Sequence, residues 1–100
     1  MRSNLYGVIG EIDNLPGCSQ VAVFHSVFCP PLLRGQKLGD KAHQQRITQA
    51  KFYGYDCAIC TVDLSNEPQL TILRNNGWTQ VHEFESSKTQ HNVGIFVRKL

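Results

Sequence analysis

Residues 20–39 read Gln20-Val-Ala-Val-Phe-His25-Ser-Val-Phe-Cys29-Pro30-Pro-Leu-Leu-Arg34-Gly35-Gln-Lys37-Leu-Gly39, and a polar stretch from Asp40 to Phe52 follows. The run from Gln20 to Cys29 is apolar on both faces, the pattern of a central strand covered on both sides. Pro30-Pro31 stops it, because proline has no N–H to give to a strand ladder. The next residues, 32–39, form a loop with two glycines, and a helix is predicted over 40–52 with Gly54 as its stop. Its apolar stripe is Leu38, Ala42, Ala50 and Tyr53, interrupted by Arg46 and Gln49; His43 reads as a solvated helix residue. A glycine-bearing loop that enters a helix collects free backbone N–H groups. The helix dipole adds partial positive charge there, and the two together suit a diphosphate. Arg34, Lys37 and Lys41 strengthen that field. The loop is neither the GxxxxGK[ST] nucleotide loop nor the GxGxxG dinucleotide fingerprint.

Outward from this unit, Leu5 to Ile12 reads as a strand, and Asp13-Asn-Leu-Pro-Gly17 as a turn. On the C-terminal side, Asp56 to Leu64 is a second buried strand. Ser65-Asn66 before Glu67-Pro68 marks an N-cap and first turn. The short helix that follows carries Leu70, Ile72 and Leu73 and ends near Asn76-Gly77. Trp78 to Glu85 and Asn92 to Arg98 pair as a hairpin, joined by residues 86–91. The order β-β-α-β-α-β-β predicts an α/β (α+β) fold, a sheet with helical cover.

At 100 residues the chain is one domain, 1–100. Apolar residues make up 41% of it, enough for a conventional core. No membrane-spanning run and no signal-type apolar segment is visible, so no membrane partner and a cytoplasmic location are expected. A net charge of +2 is too mild to indicate nucleic acid. Arg34, Lys37, Lys41, Arg46 and Lys51 have no aromatic stacking motif beside them, so no nucleic-acid partner is expected. The four cysteines are Cys18, Cys29, Cys57 and Cys60. The Cys57-Ala-Ile-Cys60 pair lies inside an apolar strand, where residues three apart face opposite ways. His25 and Cys29 share a face but stand about 13 Å apart. Buried structural cysteines and no metal are therefore expected, and covalent catalysis through Cys29 is disfavoured for want of a paired histidine.

The segment Val27-Phe-Cys-Pro-Pro31-Leu-Leu-Arg34-Gly35-Gln-Lys-Leu-Gly39 resembles the core motif of the GNAT superfamily of N-acetyltransferases, a strand ending V-x-P-x-x-R-G-x-G-x-G that runs into a helix. Asn66 through Asn75-Asn-Gly77-Trp78 is similar to that family's Asn-started helix followed by Gly-Phe, with Trp in place of Phe, and Val93 to Leu100 is similar to its last strand. The resemblance covers about residues 20–100. It implies a mixed, mainly antiparallel sheet with two helices, whose central parallel pair is the strand before Pro30 and the strand at Cys57–Asp63. It implies acetyl-coenzyme A as cosubstrate and transfer of acetyl to a primary amine by direct attack. Val27 and Cys29 would offer backbone groups to the pantetheine arm. Arg34, Gly35, Gln36, Lys37, Leu38 and Gly39 would hold the diphosphate, and Asn66 would contact the pantetheine region. A backbone N–H near Cys29 would polarise the acetyl carbonyl.

Two positions depart from the family pattern. Lys37 stands where the third loop residue is normally glycine, so a positive φ there would strain it. Leu73 stands where the family often has a tyrosine that protonates the leaving thiolate. A base must also take a proton from the acceptor ammonium. The candidates are His25, Glu11 on the preceding strand, and Asp63 late in the second buried strand. Family members usually carry further N-terminal elements that wall the acceptor cleft. Without them the acceptor side is expected to be open or completed by a second subunit in a homodimer, which favours a protein lysine or N-terminus over a small metabolite. The alternative is a catalytically degenerate GNAT-like module that binds coenzyme A or a protein partner.

Overall fold

The computed structural model describes residues 1–34 and 37–100. Its elements are β1 (Arg2–Leu5), β2 (Val8–Leu15), β3 (Cys18–Phe28), a single 3-10 turn at Pro31–Leu33, α1 (Leu38–Phe52), β4 (Cys57–Asp63), α2 (Glu67–Asn75), β5 (Thr79–Glu85) and β6 (Asn92–Lys99). The strands form one sheet in the order β1-β2-β3-β4-β6-β5. Every neighbouring pair is antiparallel except β3 with β4. The mixed, mainly antiparallel α+β architecture with two helices is therefore as the family resemblance implies.

The first expected strand divides into two. Tyr6 and Gly7 both have positive φ, 58° and 83°, which makes the two-residue turn of a tight hairpin. Strand β2 then continues through Asp13 and Asn14 to Leu15, and the next turn falls on Pro16 and Gly17. Asp13, expected in a turn, is thus a strand residue opposite Val23.

Alternation along the strands sends Ile12, Ala22, Phe24, Ala58, Cys60, Val62 and Phe96 to one face, where they pack with Ile47 and Ala50 of α1 and Leu70 and Leu73 of α2. Both helices therefore lie on the same side. Across the other face Val23, Ile59 and Val97 stand abreast on three strands, half-buried and with no helix above them among the described residues. The apolar character of both faces of β3 and β4 reflects this lateral aliphatic row, not a second helical layer, so both strands are covered on one side only.

Helix α1 also corrects the sequence reading. His43 is buried, and its Nε2 accepts a 2.8 Å hydrogen bond from Trp78 Nε1. A tryptophan taken into a core brings an N–H that needs an acceptor, and His43 supplies it. Phe24 closes the group, with ring centroids 5.4 Å from Trp78 and 5.9 Å from His43. Burial, with Arg46 nearby, pulls the His43 pKa down to about 4, so the ring is neutral at pH 7. Arg46 is buried as well. It lies across Gly10, where a Cβ would come within 3.0 Å of its Cδ and Nη1. At the far end of the helices, Asn76 Nδ2 donates to Asp40 Oδ1 and to the Ile72 carbonyl, both at 2.7 Å. This ties the end of α2 to the start of α1.

Candidate active site

Strands β3 and β4 pair only over Val21–Cys57, Ala22–Ala58 and Val23–Ile59. Beyond these residues they part, while β2 stays on the outer edge of β3 and β6 on the outer edge of β4. The gap is a cavity of about 220 Å³ between residues 24–27 and 60–63, with His43, Asn66, Gln69 and Leu73 on its helical side. From Phe24 onward the edge of β3 that faces the gap has no strand partner among the described residues, which leaves its main-chain groups open to an extended ligand.

The β3 wall contains a bulge. Glu11 pairs with His25 and Ile9 with Phe28, so β3 spends one residue more than β2 over this span. Ser26 absorbs the extra length at φ 56°, in the left-handed region. The bulge resets the phase of the strand: His25 shares a face with Phe28, not with Val27 and Cys29 as a regular strand would place it. His25 Nε2 is 2.5 Å from Asp13 Oδ2, and its Nδ1 is 2.9 Å from Ser26 Oγ and 3.7 Å from Glu11 Oε2. A carboxylate only accepts, so Nε2 carries the proton. In the neutral ring Nδ1 then accepts from the Ser26 hydroxyl. The bond to His25 holds the Asp13 carboxyl below its usual range. Two of the sequence candidates, His25 and Glu11, are thus neighbours. Asp13 and Ser26 were missed, although an alternation that runs on from Glu11 to Asp13 was there to be read.

The β4 wall carries Asp63. Its Oδ1 accepts from Ser65 N at 2.9 Å and Ser65 Oγ at 2.7 Å, and its Oδ2 from His91 Nδ1 at 2.9 Å. The Ser65 bonds, with His91, bring the Asp63 pKa down to about 2. His91, in the β5–β6 connection, is solvent-facing as expected but also held by this carboxylate. Cys57 and Cys60 face opposite sides of β4, and all four cysteines are free. Burial pushes the Cys60 thiol up to about 12, so it holds its proton. Among the described residues no group of three His, Cys, Asp or Glu side chains could hold a metal ion.

On the loop side, Arg34 Nε donates to the Cys29 carbonyl at 3.1 Å and fastens the loop to the end of β3. Lys37 is the N-cap of α1 and has φ 59°, the strained conformation its glycine-like position implied. Leu38 and Gly39 begin the helix. A Cβ on Gly39 would stand 3.3 Å from Ile72 Cδ1, which lets α1 and α2 approach closely. Gly35 and Gln36 lie outside the described residues. Asn66 caps α2 by accepting from Gln69 N at 3.3 Å and also lines the cavity. Leu73 is fully buried and presents only aliphatic groups there.

No helix is long and apolar enough to cross a membrane among the described residues. No protein-family profile matches the chain, and no curated protein matches it. Solved structures do. A protein from Salmonella typhimurium, described as a putative acetyltransferase and solved with its cofactor acetyl-CoA, is similar with a TM-score of 0.82 at 15% identity, over 93% of this chain and 57% of that one. A GCN5-related N-acetyltransferase from Kribbella flavida is similar at 0.78 and 16%, over 93% and 58%. The ribosomal-protein-S18-alanine N-acetyltransferase from Escherichia coli is similar at 0.79 and 12%, over 92% and 60%. The chain spans about three fifths of the length of each of these structures. The parted parallel strands, the glycine-bearing loop into α1 and the Asn-capped α2 are the GNAT N-acetyltransferase fold, and that is the fold of this chain.

Proposed function

We propose that this domain transfers acetyl from acetyl-coenzyme A to a primary amine by direct attack in the β3–β4 cleft. The observation that carries the reading is the parting of the one parallel strand pair beside a histidine held by a carboxylate. The pantetheine arm lies along the free edge of β3 at Val27 and continues to Cys29 just past the strand's end, with Asn66 opposite. The diphosphate sits on Arg34, Gly35, Gln36, Lys37, Leu38 and Gly39 at the start of α1. His25 is the base: Asp13 fixes its tautomer, so Nδ1 is the atom that takes a proton, through Ser26 or directly. Glu11 adds negative charge beside the ring and stabilises the imidazolium that forms. Asp63, with its low pKa and three donors, serves as the anionic partner of His91 and is the weaker base of the set. The acceptor is a protein lysine or N-terminus, and the acceptor side is open or completed by a second subunit in a cytoplasmic homodimer.

Calorimetry with acetyl-coenzyme A, then free-thiol release with candidate amines, tests the reading. Absence of coenzyme binding overturns it. Sedimentation tests the dimer, and a monomer with full activity removes it. Leu73 in the place of a proton donor favours a second reading, a coenzyme A-binding or protein-interaction module without turnover. Binding without thiol release would select that one.

A further inference from the structure

Ser26, His25 and Asp13 form a chain of two hydrogen bonds: Ser26 Oγ to His25 Nδ1 at 2.9 Å, and His25 Nε2 to Asp13 Oδ2 at 2.5 Å. This is the connectivity by which a serine hydroxyl becomes a nucleophile, with the imidazole between hydroxyl and carboxylate. The two ring nitrogens have exchanged places relative to the serine-protease arrangement, which leaves the logic unchanged: the carboxylate fixes the tautomer and the other nitrogen receives the proton. Three features of Ser26 suit the role. It lines the cleft, it is exposed, and it is held at φ 56°, a conformation a serine rarely adopts. The bulge places Ser26 at the cleft with its hydroxyl held against the His25 ring.

We propose that Ser26 is an acyl-accepting nucleophile and that, with no amine present, the cleft hydrolyses short acyl thioesters and activated esters through it. Ser26 Oγ attacks the carbonyl carbon, and its proton passes to His25 Nδ1. The carbon–sulfur bond breaks, and the proton on Nδ1 goes to the departing sulfur, which leaves as a thiol. Water then attacks the acyl-serine carbonyl and gives a proton to Nδ1. The carbon–Oγ bond breaks, the proton returns to Ser26, and the carboxylic acid leaves. The net reaction is thioester plus water to acid plus thiol. For the thioester this inference rests on the coenzyme reading of the cleft; for an activated ester it does not.

The test uses the full chain, without amine, incubated with p-nitrophenyl acetate and separately with acetyl-coenzyme A. Acyl groups are located by peptide mass mapping, and p-nitrophenolate or thiol release is followed. The expected result is one acetyl group on Ser26 from both reagents. Ser26→Gly keeps the positive φ and removes the hydroxyl. It should abolish the label and lower release at least about 100-fold, and Asp13→Asn should lower release about 10²–10⁴-fold. Ser65→Ala, on the other wall, should leave the label in place. Release unchanged in Ser26→Gly, or acetyl found on another residue, overturns the proposal. Labelling by p-nitrophenyl acetate with no calorimetric binding of acetyl-coenzyme A upholds the nucleophile and overturns the coenzyme reading. Coenzyme binding with no acylation by either reagent does the reverse.

Discussion

On the β3 wall of the cleft an imidazole stands between a hydroxyl and a carboxylate, Ser26–His25–Asp13; on the β4 wall the carboxylate stands between the other two, Ser65–Asp63–His91. The residue types are the same and the order differs. With the imidazole in the middle, one nitrogen is committed to the carboxylate and the other can move a proton. With the carboxylate in the middle, the hydroxyl and the imidazole both donate to it, and the result is a strongly acidic Asp63, not a relay. Which atom occupies the centre decides whether such a group transfers protons or fixes a charge.

The largest effect expected from this contrast is on rate. His25→Gln should lower amine-dependent thiol release about 10²–10⁴-fold, whereas His91→Gln should change it by less than about threefold. Equal losses would erase the distinction between the walls. The floor beneath both walls is His43 with Trp78. His43→Ala should destabilise the fold by about 2–4 kcal/mol in denaturant melts, since it opens a cavity and strands an indole N–H. Trp78→Phe in that background should restore about 1 kcal/mol by removing the stranded donor; no recovery would mean the hydrogen bond is immaterial.

Acid acts through the same ring. His43 titrates at about 4 in the folded chain and near 6.5 when unfolded. Between those values the unfolded chain binds the extra proton, so stability falls as pH drops from 6.5 towards 4, by up to about 3 kcal/mol. A His43→Leu variant should lose that slope; if the slope persists, another group is responsible. Lys37→Gly touches neither wall. It relieves the positive φ and should stabilise the fold by about 1 kcal/mol with the His25-to-His91 ratio unchanged. The smallest effect is spectroscopic: the Asp63 carboxyl, at about 2 by virtue of Ser65 and His91, should titrate nearer the ordinary carboxylate range in His91→Ala. An unmoved titration would assign the whole depression to Ser65.

The β3–loop–α1 unit was legible because each of its parts is a strong local signal: an apolar run, a proline pair and glycines at a helix entrance. The α2 cap at Asn66 was legible for the same reason. The site was harder to read because it depends on two irregularities with weak local marks. The Tyr6-Gly7 turn places a bulky aromatic at positive φ, so the hairpin hid inside an apolar run and Asp13 slipped into a turn. The bulge at Ser26 has no glycine to announce it, so strand alternation put His25 in the wrong phase. His43 was misread as solvated since its partner, Trp78, is 35 residues away and nothing in the helix reveals it.

Trp78 has one more consequence. It is the chain's single tryptophan, and it is hydrogen-bonded to a titratable ring that borders the cleft. Its fluorescence therefore reports on one place alone. An imidazolium quenches a neighbouring indole, so emission should dim as His43 charges. A ligand seated against His43 should shift it too. The molecule carries its own optical gauge of the cleft, and no label need be added to follow either event.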